Sequence, residues 1–249
     1  MKKIFKKNQA HSRDCDDALR IIDENTPFAI LEAFRALYTK ILYLPTPGKC
    51  KKLAITSAYP GEGKTYISSN LAIIMAQSAS NKRVLLIDFD MRKPRVARLM
   101  KKYCKAIEET DEPSGLSEYL AEIDDAPNIQ ETTLNNFDIL FSGKVSTNPG
   151  ALINSPRFDQ LIAICEKEYD YIVFDCPPVI IVTDALLVSN KVDGYIMATR
   201  SDYSNINALS DAISTLKDVG AEVFGVVLSS VNPKKCSAGY NSNYAKSYQ

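Results

Sequence analysis

A candidate phosphate-binding loop is the clearest chemical feature of the sequence. Residues 58–65 follow an apolar run and precede a segment with helical apolar spacing, and they read Ala58-Tyr59-Pro60-Gly61-Glu62-Gly63-Lys64-Thr65. This matches the pattern G-x-x-x-x-G-K-[ST], except that alanine stands first. Glycines let backbone amides approach phosphate oxygens, the lysine adds a positive charge, and the hydroxyl can bind Mg²⁺. We predict a nucleotide site formed by Gly61, Glu62, Gly63, Lys64, Thr65 and Tyr66; a glycine-rich turn with a chance Lys-Thr is the alternative.

Three aspartates at the ends of apolar runs are candidates to complete this site. Asp88 and Asp90 follow one run and lie two residues apart, so both can face the same side of an extended chain, and Asp175 ends a second run. Ligands of an open parallel sheet bind beyond the carboxyl ends of its strands, where the loop and these aspartates would meet. We predict that Asp88, Asp90 and Asp175, together with Lys64 and Thr65 of the loop, hold Mg²⁺ and take part in catalysis. Each aspartate alone could instead cap a helix or end a strand in solvent.

The elements that would position these residues alternate between strand and helix patterns. Apolar runs recur at 53–57, 84–88, 137–141, 171–175, 194–199 and 223–229, and most are separated by helical patterns. This alternation predicts an α/β fold with a doubly wound, mostly parallel sheet and helices on both faces. We expect a flexible charged stretch at 1–25, one domain at 26–232 that opens with a helix from about Pro27 to Leu44, and a flexible tail at 233–249.

The composition excludes several other classes of protein. The 249 residues contain 30 basic and 30 acidic side chains, so no overall charge favours nucleic acid as a partner. Six scattered cysteines lack C-x-x-C pairing and indicate reduced thiols rather than a disulfide framework or a zinc site. No apolar stretch approaches the roughly 18 residues of a membrane span, and no secretion signal follows the N-terminal lysines. These patterns predict a cytoplasmic protein.

The assembled motifs resemble those of bacterial tyrosine kinases of the capsule and exopolysaccharide type, over about residues 28–248. The phosphate loop resembles the Walker A segment of this P-loop family, residues 86–92 with Pro94 resemble its additional Walker segment, and residues 174–178 its Walker B segment, although Cys176 stands where Thr or Ser is usual. The resemblance implies ATP and Mg²⁺ as cofactors and Asp88 as the base nearest the acceptor hydroxyl. It also implies an adenine contact at the end of the last strand, where Ser229 or Asn232 stands in place of the usual asparagine.

The resemblance also implies an acceptor segment and a subunit contact. Tyr240, Tyr244 and Tyr248 recur in a tail rich in Ser, Asn and Lys, similar to the tyrosine cluster on which this family autophosphorylates; a solvated tail with inert tyrosines is the alternative. Glu32 and Arg35 fit the family's subunit-contact helix, but Tyr38 replaces its second arginine. A surface ion pair on an amphipathic helix would explain Glu32 and Arg35 equally.

The expected partners follow from the same resemblance. They are the cytoplasmic tail of a separate membrane adaptor that recruits the kinase to the inner face of the membrane, a cognate tyrosine phosphatase, and further copies in a ring. Two other functions stay open: a nucleotide-responsive scaffold without catalysis, and a partition-type or septum-placement ATPase. The ATPase is disfavoured because Tyr59 occupies the position of the lysine that reaches across the dimer in those proteins.

Overall fold

A single mixed sheet forms the centre of the molecule. The computed structural model describes residues 21–78, 81–104 and 113–231. Within these ranges seven strands are hydrogen-bonded in the order β3-β4-β2-β5-β1-β6-β7, and all neighbours are parallel except β3 with β4. Their bounds are β1 Lys51–Ser57, β2 Val84–Asp88, β3 Gln130–Glu131, β4 Phe137–Leu140, β5 Tyr171–Asp175, β6 Gly194–Arg200 and β7 Val223–Ser229. The predicted doubly wound, mostly parallel sheet is confirmed.

Helices cover both faces of this sheet. Their bounds are α1 Phe28–Leu42, α2 Lys64–Ser78, α3 Val96–Met100, α4 Leu116–Leu120, α5 Pro149–Ile153, α6 Pro156–Glu168, α7 Asp184–Leu187 and α8 Ile206–Asp218. Buried residues of α1, α2 and α3 form one apolar cluster with the sheet, and those of α4 to α8 form another. Neighbouring side chains of the inner strands alternate between the clusters: Leu86 packs on the first face, and Leu85 and Ile87 pack on the second.

The strand register brings the carboxyl ends of β2, β5 and β1 together. Asp88 is the register partner of Asp175, which in turn pairs with Ile55 of β1, three residues before the phosphate loop begins. Neighbouring strands lie about 4.8 Å apart. The crossover helices therefore return the chain so that the loop and two of the predicted aspartates stand side by side.

The described ends of the chain refine the sequence prediction. Helix α1 begins at Phe28 and ends at Leu42, close to the expected 27–44. Ile21 and Ile22 lie in the stretch expected to be flexible, yet both are buried, and the Ile22 amide donates to Asn70 Oδ1 at 2.7 Å. The tail tyrosines and Asn232 lie outside the described residues. None of the helices within the described ranges has the length and apolar character that a membrane crossing requires.

Candidate functional site

The phosphate loop joins the end of β1 to the start of α2. Gly61 and Gly63 have φ values of 84° and 87°, a left-handed conformation that glycine adopts without strain. Glu62 is buried, and its carboxylate accepts a hydrogen bond from the Tyr59 amide at 2.8 Å. This bond links the two ends of the turn at 59–62. Of the predicted nucleotide-binding residues, Glu62 thus has a side chain that shapes the loop, while its backbone remains part of the candidate cradle.

Lys64, at the first position of α2, points into a buried cluster of carboxylates. Its ammonium donates to Asp90 Oδ2 at 2.9 Å, and both side chains are less than one tenth exposed. Burial alone would lower the pKa of Lys64, but the nearby Asp175, Asp90 and Asp88 raise it overall, so this side chain stays charged. The sequence placed both residues at the site but did not predict their ion pair.

Asp175, at the end of β5, has an unusual environment for a carboxylate. It is fully buried, and neither side-chain oxygen accepts a hydrogen bond from any residue that the structure describes. Burial raises its pKa, although Lys64, Thr65 and Ser68 lie near enough to favour the ionised form. A buried, unpartnered carboxylate is costly unless a cation or donor completes it, so Asp175 fits a metal ligand.

Asp88 is buried as well, but its oxygens are engaged. Oδ2 accepts hydrogen bonds from the Arg95 and Val96 amides at 3.2 and 3.0 Å, at the start of α3, and Oδ1 accepts from the Asp90 amide at 3.3 Å. The predicted alternative of a helix-capping carboxylate is therefore part of its role. Burial and the neighbouring Asp175 raise the pKa of Asp88 to about 8.

The charges of this cluster match a divalent cation. Three carboxylates and one ammonium give a formal charge of −2 when all four are ionised, from −3 and +1. Within the described ranges, no three His, Cys, Asp or Glu side chains stand close enough to hold a metal ion by themselves. Proteins usually bind Mg²⁺ through one or two carboxylates together with substrate phosphates and water. Thr65, Asp90 and Asp175 are the residues that could hold it.

A cavity of about 510 Å³ opens beside the loop. One wall is apolar and includes Pro178, Ile181 and Val182 from the segment after β5. A second, cationic wall comes from the segment after β2, and Arg92 in this wall is held by two bonds to buried Asp184, at 2.6 and 3.0 Å. The lining residues are Pro60, Gly61, Gly63, Lys64, Thr65, Tyr66, Asp90, Arg92, Lys93, Arg95, Arg98, Leu99, Pro177, Pro178, Ile181 and Val182.

The predicted subunit-contact residues lie on α1 and are not among the residues that line this cavity. Arg35 Nη1 and Glu32 Oε1 form an exposed ion pair at 2.7 Å. Tyr38, which replaces the family's second arginine, is instead a core residue that packs edge-on against Tyr171 with 6.2 Å between ring centres. Glu32 and Arg35 therefore remain available to a partner, whereas Tyr38 stabilises the fold.

Sequence reasoning missed several residues that shape the site. Asp184, which orients Arg92, and Arg200, which donates to the Gly61 carbonyl at 3.3 Å, lie far from the loop in sequence. The cationic wall had a visible signal, because four basic residues occur within seven positions after β2. No pattern in the sequence marked Asp184 or Arg200, since only the strand order brings them to the loop.

Comparison with known proteins agrees with this architecture. Residues 50–224 match the family model described as an AAA domain. The tyrosine-protein kinase CpsD of Streptococcus agalactiae is 32% identical over 216 residues, which are 86% of this chain and 90% of CpsD. The tyrosine-protein kinase wzc of Salmonella typhimurium is 34% identical over 204 residues, 81% of this chain. The matched part is 27% of wzc, so the chain spans about a quarter of that relative's length.

A solved structure gives the same result. The kinase domain of the Escherichia coli tyrosine kinase ETK superposes with a TM-score of 0.71 at 32% identity, covering 84% of this chain and 82% of that domain. The resemblance inferred from the motifs is thereby confirmed over most of the described fold. Because it also covers nine tenths of a relative of its own size, the chain belongs to the family of bacterial tyrosine-protein kinases.

Proposed function

We propose that this chain transfers the terminal phosphoryl group of ATP to tyrosine hydroxyls in the control of capsular or exopolysaccharide synthesis or export. The observation that carries the proposal is the unpartnered Asp175 carboxylate beside the buried Lys64–Asp90 pair, at the foot of a glycine loop. Membership of the tyrosine-protein kinase family supports the choice of tyrosine as acceptor.

The residues of the site have separate tasks in this proposal. The backbone amides of residues 61–66 and the Lys64 ammonium hold the phosphates, and Thr65, Asp90 and Asp175 hold Mg²⁺. Bound MgATP supplies the phosphoryl group and a cation that neutralises charge on its oxygens. The protein contributes position and electrostatic complementarity, which dominate catalysis of this reaction class.

Asp88 is the proposed base for the acceptor hydroxyl. A free phenol has a pKa of about 10, so its proton leaves during transfer rather than beforehand. In the ligand-free protein the pKa of Asp88 is raised to about 8, and a general base is most effective when its pKa lies near the operating pH. The amides of α3 hold its carboxylate in one orientation while it takes the proton.

The acceptors and partners belong to the same proposal. Tyr240, Tyr244 and Tyr248 are the proposed sites of autophosphorylation. We propose that the cytoplasmic segment of a membrane adaptor activates the kinase at the inner face of the membrane, that copies assemble through α1 with Glu32 and Arg35, and that a tyrosine phosphatase reverses the modification. The support is the family resemblance, together with the exposed position of the Glu32–Arg35 pair.

The test uses the full chain with MgATP, the cytoplasmic segment of the membrane adaptor as activator, and a synthetic Glu/Tyr copolymer as a second acceptor. Mass spectrometry should find phosphotyrosine on the tail or the copolymer with the wild type, and none with Asp88→Asn that still binds ATP. ATP binding without phosphotyrosine in the wild type would refute the kinase in favour of a scaffold. Release of free phosphate without phosphotyrosine would favour the ATPase instead.

A further inference from the structure

The turn that follows β6 places an exposed aromatic ring against the phosphate loop. Tyr203 Cε1 lies 4.0 Å from the position that a Cβ on Gly61 would occupy, although Tyr203 is 60% exposed. Arg200 is buried beneath the turn, bonds to Asp202 at 2.7 Å and to the Gly61 carbonyl, and has its guanidinium 5.9 Å from the Tyr203 ring centre. The ring is thus held at the loop while most of its surface faces solvent.

The strand order determines which end of a nucleotide would reach this ring. β1 lies between β5 and β6, so the loop has the aspartates of β5 and β2 on one side and the turn at 201–204 on the other. Lys64 and the aspartates mark the end of the loop that takes the terminal phosphate. The nucleoside of a triphosphate bound along the loop is therefore directed toward Tyr203.

We propose that Tyr203 is the platform on which the nucleobase of the bound nucleotide stacks. The inference rests on the proposed function, because it takes ATP as the ligand. Aromatic side chains stack on bases through their faces, and this contact needs no hydrogen-bond pattern on the base. Arg200 acts as a positioning residue that fixes the ring beside Gly61.

One of the two residues expected to contact the base, Ser229, has other bonds, and the other, Asn232, lies outside the described residues. Ser229 Oγ donates its proton to the Thr199 carbonyl at 3.2 Å, and the Ser229 carbonyl accepts from the Ser201 amide at 3.0 Å. Ser229 therefore ties the turn after β6 to the end of β7 and has no hydroxyl proton left for a base. Leu228 and Val231 are exposed near the end of β7 and add apolar surface to this side of the sheet.

Isothermal titration calorimetry on the full chain can test the platform with two ligands, MgATP and magnesium tripolyphosphate, which has no base. For Tyr203→Ala we expect about tenfold weaker binding of ATP, the lower part of the range for loss of a base–aromatic stack, and unchanged binding of tripolyphosphate. Tyr203→Phe keeps the ring and should bind ATP like the wild type. Tyr43→Ala, which removes an exposed tyrosine at the end of α1, is the matched control and should change neither affinity.

Each result of the calorimetry either supports or overturns the assignment of Tyr203 as the stacking platform. An unchanged affinity of Tyr203→Ala for ATP would overturn the inference and leave the proposed function intact. Equal losses for ATP and tripolyphosphate would also overturn it, because the ring would then support the loop rather than the base. A wild type that binds neither ligand would refute the proposed function itself. Loss of ATP affinity alone, with the phenylalanine variant unaffected, would establish the platform.

Discussion

Replacing Asp88 with asparagine should stabilise the ligand-free protein, and the gain should grow with pH. Burial and Asp175 raise the pKa of Asp88 from its ordinary 3.8 to about 8. A carboxyl group with a raised folded-state pKa contributes stability that is complete below the ordinary value and is lost as the pH rises through the folded value. In the wild type this loss therefore falls between about pH 4 and pH 8.

The size of the effect follows from proton linkage. Within that window the folded state retains one proton that the unfolded state has lost, so the free energy of unfolding falls by up to about 1.4 kcal/mol per pH unit. Asparagine does not ionise, and its side-chain oxygen can still accept the hydrogen bond from the Val96 amide. Between about pH 5.5 and pH 7.5 the variant should therefore gain about 2–3 kcal/mol over the wild type. For a domain of this size the gain corresponds to about 4–12 °C in Tm.

Urea unfolding followed by far-UV circular dichroism suits this chain, which contains no tryptophan. The control is Asp184→Asn, the same chemical change at a buried carboxylate that is held by Arg92. It should lose about 1–3 kcal/mol, because it breaks a charge-assisted pair. Parallel plots of unfolding free energy against pH for the wild type and Asp88→Asn would refute the reasoning, as would a variant less stable than the wild type near pH 8.

Three further predictions concern other parts of the site and α1. Lys64→Met removes the ammonium that bonds to Asp90 and should weaken ATP binding at least about 100-fold, measured by calorimetry. Glu62→Ala leaves the Tyr59 amide without its acceptor and should weaken ATP binding about tenfold, whereas Glu62→Gln should retain it, in the same assay. Glu32→Ala should change unfolding free energy by less than about 1 kcal/mol, because the pair is exposed, yet should reduce assembly in sedimentation velocity if α1 is the subunit contact.

Much of the fold could be predicted because its signals are local. The inner strands are continuous apolar runs, and the phosphate loop sits between a strand and a helix pattern, so their types and approximate bounds follow from periodicity. The short strand Gln130–Glu131 was not predicted, because two polar residues show no alternation. This strand forms by pairing with β4, and that contact depends on where β4 lies in the folded sheet.

The sequence predicted which residues form the site more completely than it predicted the interactions between them. The sequence identified Lys64 and Asp90, but their ion pair spans 26 positions and exists only because β2 and β1 flank β5. Asp88 and Asp175 also look alike in the sequence, because each is a carboxylate at the end of an apolar run. Their different environments come from the start of α3, whose amides reach Asp88.

That difference is the best argument for assigning the two aspartates different tasks. Both are buried, and they are register partners on neighbouring strands, so depth does not separate them. Asp88 has its oxygens held by amides and a pKa near the operating pH, which suits a group that takes and releases a proton. Among the described residues no donor forms a well-aligned hydrogen bond with either oxygen of Asp175, although the Thr65 and Ser68 hydroxyls lie nearby, and this suits a group that binds a cation. When neighbouring titratable groups have environments this different, the environments indicate which is the base and which is the ligand.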